Sequence, residues 1–181
     1  MTIKFIIRVK IMLLIRKEEL KDYNDVYNVI KDAFLSAEHS DGNEHDLVNV
    51  LRQSKSFIPE LSLVAEIDGK IVGHILFTKA SVGKDTVLAL APLSVLPKFQ
   101  KKGIGSALVS EGHNIAKKLG YSYSVVLGSE KYYPKFGYIP AVNLGINTPV
   151  GVPEINFMAV KLNENAAPIK GNMVYAKEFG I

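Results

Sequence analysis

The stretch from Leu93 to Leu119 constrains the fold more than any other. Leu93-Ser94-Val95-Leu96-Pro97 closes an apolar run, Lys98 to Gly105 turns with two glycines and three lysines, and Ser106 opens a segment of helical spacing. Ala107, Leu108, Ile115 and Leu119 recur on one side of a 3.6-residue repeat, and Gly120 stands where a helix would stop. A helix starting near Gly103 presents about four unpaired backbone N–H groups and roughly half a positive charge at its head. Such a head suits a diphosphate. Gly103 and Gly105 are read as allowing unusual φ values and a close backbone approach, with Lys101 and Lys102 adding charge. Two commoner glycine motifs are excluded. A Walker loop needs a glycine five residues before its Gly-Lys-Ser/Thr, and a dinucleotide fingerprint needs a third glycine where Leu108 stands.

The totals bound the remaining choices. A chain of 181 residues, 48% hydrophobic and 22% charged, can bury one core, and without repeats or low-complexity segments it reads as one domain. The absence of cysteine excludes disulfides, thiolate metal sites and a cysteine acyl-enzyme, and it permits a reducing, cytoplasmic setting. The net charge of +4 is uneven: residues 1–90 carry 12 basic and 13 acidic side chains, and the remainder 10 and 5. Seven of those ten basic residues lie between Lys98 and Lys135, a field that would draw in a polyanion. Arginine is scarce and no basic face is interleaved with aromatics, so no nucleic-acid partner is expected. Met1 to Ile15 is apolar but broken by Lys4, Arg8 and Lys10, short of the ~20 residues of a membrane span. It also lacks a small-residue cleavage site. Residues 1–11 are therefore read as an extension, with Met12 a possible alternative start and the domain running over 12–181.

The other elements follow from periodicity and punctuation. Asp22 to Ala37 reads as an amphipathic helix through Val26, Val29, Ile30, Ala33 and Phe34. A polar loop leads to a second helix capped by Asn43, with Leu47, Val48 and Leu51 on its apolar face. Leu61 to Ile67 and Lys70 to Lys79 flank Asp68-Gly69 and predict a hairpin. On its second strand, strict alternation puts His74 beside Val72, Leu76 and Thr78, opposite Gly73, Ile75 and Phe77. His74 is either a hydrogen-bonded core group or a base. Thr86 to Val95 is the next strand, and Pro92, having no N–H to give, should part the sheet after Ala91 on the side of the later strand Ser122 to Gly128. Ile155 to Leu162 and Met173 to Tyr175 complete the strands.

The pattern Leu-x-Val-x-Pro followed by Gln/Arg-x-x-Gly-x-Gly/Ala, here Leu93 to Gly105, resembles the GCN5-related N-acetyltransferase (GNAT) family. Val72-Gly73-His74-Ile75, Ala91-Pro92-Leu93, Gly128-Ser129 with Tyr132-Tyr133-x-x-Phe136-Gly137-Tyr138, and Phe157-Met158 are similar to its YhbS-like subgroup, over about Met12 to Phe179. The resemblance implies an α/β (α+β) fold with a mixed central sheet of about seven strands, splayed between strands 4 and 5 and flanked by helices. It implies acetyl-CoA as cosubstrate, with its pyrophosphate on Gln100, Lys101, Lys102, Gly103, Ile104, Gly105 and Ser106. The pantetheine arm would lie along Leu93, Ser94 and Val95, with Ser129 and Tyr133 beside it. Tyr133 stands four residues before Gly137-Tyr138, where many members place a tyrosine facing the sulfur, while Tyr132, Phe136 and Tyr138 read as packing. Glu44, His45 and Asp46 border the region where the family receives its acceptor, a small-molecule or peptide amine, although acidic residues there also answer the helix dipole. Many members carry a glutamate on the strand before the seat, but Thr86 to Val95 has no acid. Glu44, Glu66, His74 or a water chain are left as bases. A homodimer is compatible with the family, and a CoA-sensing or acyl-CoA-binding module without turnover is the competing reading.

Overall fold

The computed structural model describes residues 12–35 and 42–180. Asp68 and Gly69 both take positive φ, 50° and 76°, the two-residue turn whose twist matches that of paired strands. They join β2 (Phe57–Ile67) to β3 (Lys70–Val82). β1 (Leu13–Lys17) pairs antiparallel with β2, and β4 (Asp85–Val95) antiparallel with β3. β5 (Tyr123–Leu127) then lies parallel to β4, followed in space by β8 (Phe157–Lys161) and β6 (Ile139–Pro140). This path of seven strands is the expected mixed sheet. Two short strands, β7 (Ile146–Asn147) and β9 (Gly171–Val174), extend it, with β9 pairing the end of β3.

α1 (Tyr23–Phe34) and α2 (Glu44–Leu51) cover one face of the sheet, where Val64 and Leu76 meet Val26, Ile30 and Leu51. α3 (Ile104–Lys118) covers the other, where Leu63, Ala65, Ile75 and Phe77 meet Ile104 and Leu108. Within α3, Gly112 makes room for Phe77. A Cβ there would come within 2.3 Å of the Phe77 ring.

Several expectations are corrected. Ala65 faces Gly73 but Glu66 faces Ile71, so Val72 is the extra residue of a bulge. The bulge moves Val72 into the core beneath α3, away from the His74 side on which strict alternation placed it. Asn43 holds the N-cap position of α2, but its side chain makes no capping hydrogen bond. α1 ends at Phe34, and Leu119, beyond the last turn of α3, is 46% exposed rather than part of the apolar stripe. The reading of residues 1–11 as an extension, and of Ala37 as a helix end, falls outside the described residues.

Candidate anion seat and acyl site

β4 and β5 pair only through Leu88 with Ser124 and Ala89 with Val125. Beyond Ala89 the two strands part, while Leu93, Ser94 and Val95 stay bonded to Ile75, His74 and Gly73 of β3. The edge of Leu93–Val95 facing β5 is thereby released, and a cavity of about 420 Å³ opens beside it. That volume falls within the range of small-molecule sites. Its walls are Leu93 and Val95 of β4, Gln100, Lys101 and Gly103 of the turn, and the first turn of α3 from Ile104 to Ser106.

The first backbone hydrogen bond of α3 runs from the Ala107 N–H to the Gly103 carbonyl at 2.9 Å. The N–H groups of Ile104, Gly105 and Ser106 therefore precede the helical ladder and face the cavity end, where the helix dipole is positive. Lys101 at φ 60° and Gly103 at φ 83° shape the turn. A non-glycine residue in that region costs about 1–2 kcal/mol, an outlier of the kind that marks ligand-holding loops. Gly105 is needed for a different reason than expected. It is an ordinary helical residue, and a Cβ on it would fall 2.5 Å from the Tyr132 hydroxyl. Its role is to admit a neighbouring side chain, and Gly103 alone of the two takes the left-handed φ.

Of the residues anticipated around acetyl-CoA, Leu93, Val95, Gln100, Lys101, Gly103, Ile104, Gly105 and Ser106 come together on the cavity. Four others do not line it with their side chains. Ser94 is turned to the α1 face, donating to the His74 carbonyl at 3.3 Å. Lys102 donates to the Lys98 carbonyl at 2.9 Å, closing its own turn. Ser129 Oγ accepts from the Lys131 N–H at 3.2 Å. Tyr133 is buried at the start of a single helical turn, Tyr133–Phe136. Gln100 points its amide at the Val95 carbonyl, 3.0 Å away, and so ties the seat to the end of β4.

Tyr133 packs against Gly128, where a Cβ would come within 2.3 Å of its ring, and stands edge-on to Tyr132 and Tyr138 at 5.2 and 5.6 Å. Burial pushes its hydroxyl pKa well up, which keeps it a neutral phenol. Tyr138, read as packing, is indeed buried, yet its hydroxyl lies 2.8 Å from Ser124 Oγ and 3.1 Å from His113 Nε2. The lining also includes Phe99, Tyr132 and Lys135, which the sequence reading did not assign to the site. Tyr132 is the neighbour of the tyrosine chosen by spacing, and spacing does not report which of two adjacent rings faces a cavity.

His74 and Glu44 lie elsewhere. His74 is fully buried between β2 and the helices, its Nε2 3.0 Å from Ser62 Oγ. Ser62 donates its proton to Glu18 at 2.7 Å, and Arg52 is paired with the same carboxylate. The imidazole must therefore carry its proton on Nε2, leaving Nδ1 buried without a partner among the described residues. Burial first, then the Arg52 charge, lowers its pKa to about 3. Glu18 at 3.9 Å does not reverse this, because its oxygens are already engaged by Arg52 and Ser62. A base so weak, and outside the cavity lining, is a structural histidine in this geometry. Glu44 is half-buried in the first turn of α2, also outside the cavity lining. Beside it, His45 and Asp46 meet Tyr27 of α1, the ring at 4.6 Å and the hydroxyl at 3.3 Å.

A sheet parted beside the head of a helix, with N–H groups and a lysine at the opening, makes an α/β slot suited to an anionic ligand. Residues 23–138 match the Acetyltransferase (GNAT) family, and the chain belongs to it. It is similar to the uncharacterized N-acetyltransferase YjhQ of Escherichia coli K12, at 40% identity over 116 residues, which are 61% of this chain and 64% of that one. The chain thus matches just under two thirds of that relative's length. It is also similar to the uncharacterized N-acetyltransferase YhbS of the same organism, at 30% identity over 82% of this chain and 90% of the other. Among solved structures, a GNAT family acetyltransferase from Brucella melitensis in complex with acetyl-CoA aligns with TM-score 0.78 at 30% identity, covering 94% of this chain and 99% of that one. YhbS from Escherichia coli in complex with CoA aligns with TM-score 0.84 at 26% identity, covering 95% and 94%.

Proposed function

We propose that the protein is an acetyl-CoA-dependent N-acetyltransferase that moves the acetyl group directly to a primary amine of a small molecule or peptide. The observation that carries this reading is the set of N–H groups of Ile104, Gly105 and Ser106, unengaged by the α3 ladder, at the mouth of a slot that runs along the released edge of β4. The donor set fits a diphosphate: main-chain amides at a positive helix end, with Lys101 beside them. The edge of Leu93–Val95 fits an extended, amide-bearing arm, and the two relatives with acetyl-CoA or CoA bound support the choice of ligand.

In the proposed reaction the amine nitrogen forms a bond to the acetyl carbon while the carbon–sulfur bond breaks. A backbone N–H near Val95 steadies the carbonyl oxygen as it becomes negative. Tyr133, chosen by its spacing before Gly137-Tyr138 and not by the cavity lining, gives its phenolic proton to the departing thiolate and regains one from solvent or from the product ammonium. Burial makes Tyr133 a weaker acid, but it also guarantees the protonated form at neutral pH. The chain has no cysteine, so the transfer has no thiol acyl-enzyme to pass through. With no acid between Thr86 and Val95, the acceptor either arrives as free amine or passes its proton to water.

The test is thiol release from acetyl-CoA across a panel of small amines, antibiotics and peptide N-termini. Amine-dependent release that disappears in Gly103→Glu is expected. Tight acetyl-CoA binding with no release for any amine would favour the alternative, a CoA-sensing module.

A further inference from the structure

The sequence reading gave the side-chain charge of the seat to Lys101 and Lys102, but Lys102 is tied to its own turn through the Lys98 carbonyl. A second lysine lines the cavity from the segment that follows β5. Lys135 lies in the turn Tyr133–Phe136 beyond β5, and its ammonium sits 3.9 Å from the centre of the Tyr132 ring and 5.0 Å from that of Phe136. Tyr132 is itself fixed: its hydroxyl reaches the space that a side chain on Gly105 would occupy, and Phe136 packs against its ring at 5.4 Å. The ring therefore holds the Lys135 ammonium at the cavity that the head of α3 also lines. No carboxylate among the described residues pairs with Lys135, so its three donors stay available to an anion.

We propose that Lys135, positioned by Tyr132, is a phosphate-binding residue of the seat and donates to a phosphoryl oxygen of the CoA that the preceding reading places there. Main-chain amides then hold the anion at the head of α3, and the ring-held Lys135 ammonium joins Lys101 as a side-chain cation beside it. The pairing also accounts for Gly105, since any side chain there would push Tyr132, and with it Lys135, away from the α3 head.

The experiment measures acetyl-CoA and CoA binding by calorimetry for the wild type, Lys135→Met and Lys131→Met, at two salt concentrations. Lys135→Met is expected to bind about fivefold more weakly and with a shallower salt dependence. Lys131→Met, four residues away and outside the lining, is expected to match the wild type. Dephospho-CoA distinguishes the phosphates: an undiminished loss assigns Lys135 to the diphosphate, and a loss that vanishes assigns it to the 3′-phosphate. A double-mutant cycle with Tyr132→Ala tests positioning, because removing Lys135 should cost less once the ring is gone. Equal affinities of wild type and Lys135→Met, with wild type binding normally, would overturn this inference and leave the proposed function standing. A wild type that binds no acetyl-CoA would overturn both.

Discussion

Tyr133 and Gly128 form a unit at the residue scale, since the ring occupies the volume that any side chain at 128 would need. Gly128→Ala should destabilise the fold by about 1–3 kcal/mol and reduce turnover by displacing Tyr133. Urea denaturation and steady-state kinetics measure the two effects. Tyr133→Phe keeps the ring and removes only the proton. Its kcat should fall at least about tenfold while its acetyl-CoA affinity stays within about twofold. Unchanged kcat would make Tyr133 a packing residue. The buried histidines give a pH prediction whose sign is opposite to that of a paired histidine. His74 titrates at about 3 and His113 at about 4, both lowered first by burial, against about 6.5 in the unfolded chain. Between those limits the unfolded state binds more protons, so stability is complete above about pH 6.5 and declines as pH falls. The slope is about 1.4 kcal/mol per pH unit for each ring, and it is lost for one of them in His113→Gln. Unfolding midpoints at pH 7 and pH 5 check it.

At the scale of elements, the hairpin, the three helices and the glycine turn before α3 were legible because their signals are local. Asp68-Gly69 forces its turn, and Leu93 to Gly120 carries apolar strand, glycine turn and helical repeat in one uninterrupted stretch. The bulge at Val72 was not legible. Alternation on β3 alone cannot report a register slip that depends on where Glu66 of β2 stops. The Glu18, Arg52, Ser62 and His74 cluster was equally hidden, since its members are brought together from β1's end, α2's end and two strands by packing alone. β6 and β7 have two residues each, too few for any periodicity to register. Tyr132 and Lys135 escaped because a ring and a lysine beside Tyr133 read as surface and packing until the cavity is known. Gly112 shows the balance between local and tertiary demands within α3. Gly112→Ala should gain up to about 1 kcal/mol in helix propensity but lose about 1–3 kcal/mol through overlap with Phe77, for a net loss of stability measurable by thermal unfolding.

Taken as a whole molecule, the sheet carries its opening between the later halves of β4 and β5. Two apolar clusters bridge the strands on either side of the gap, one joining Ile75, Leu90 and Leu108 to Val126 and Met158, the other joining Val82, Val87 and Ala89 to Val125 and Phe157, so the sheet is held together while β4 and β5 part beyond Ala89. α3 is anchored in the first cluster, and its head lines the same cavity as Leu93 and Val95, which puts the proposed anion seat beside the proposed acyl slot. The measurement that bears most directly on this arrangement is the structure of the protein crystallised with CoA. The diphosphate is expected within hydrogen-bond reach of the Ile104, Gly105 and Ser106 N–H groups, and the pantetheine arm along Leu93 to Val95. A diphosphate bound away from the head of α3, with the slot beside β4 closed by the protein's own side chains, would contradict this arrangement.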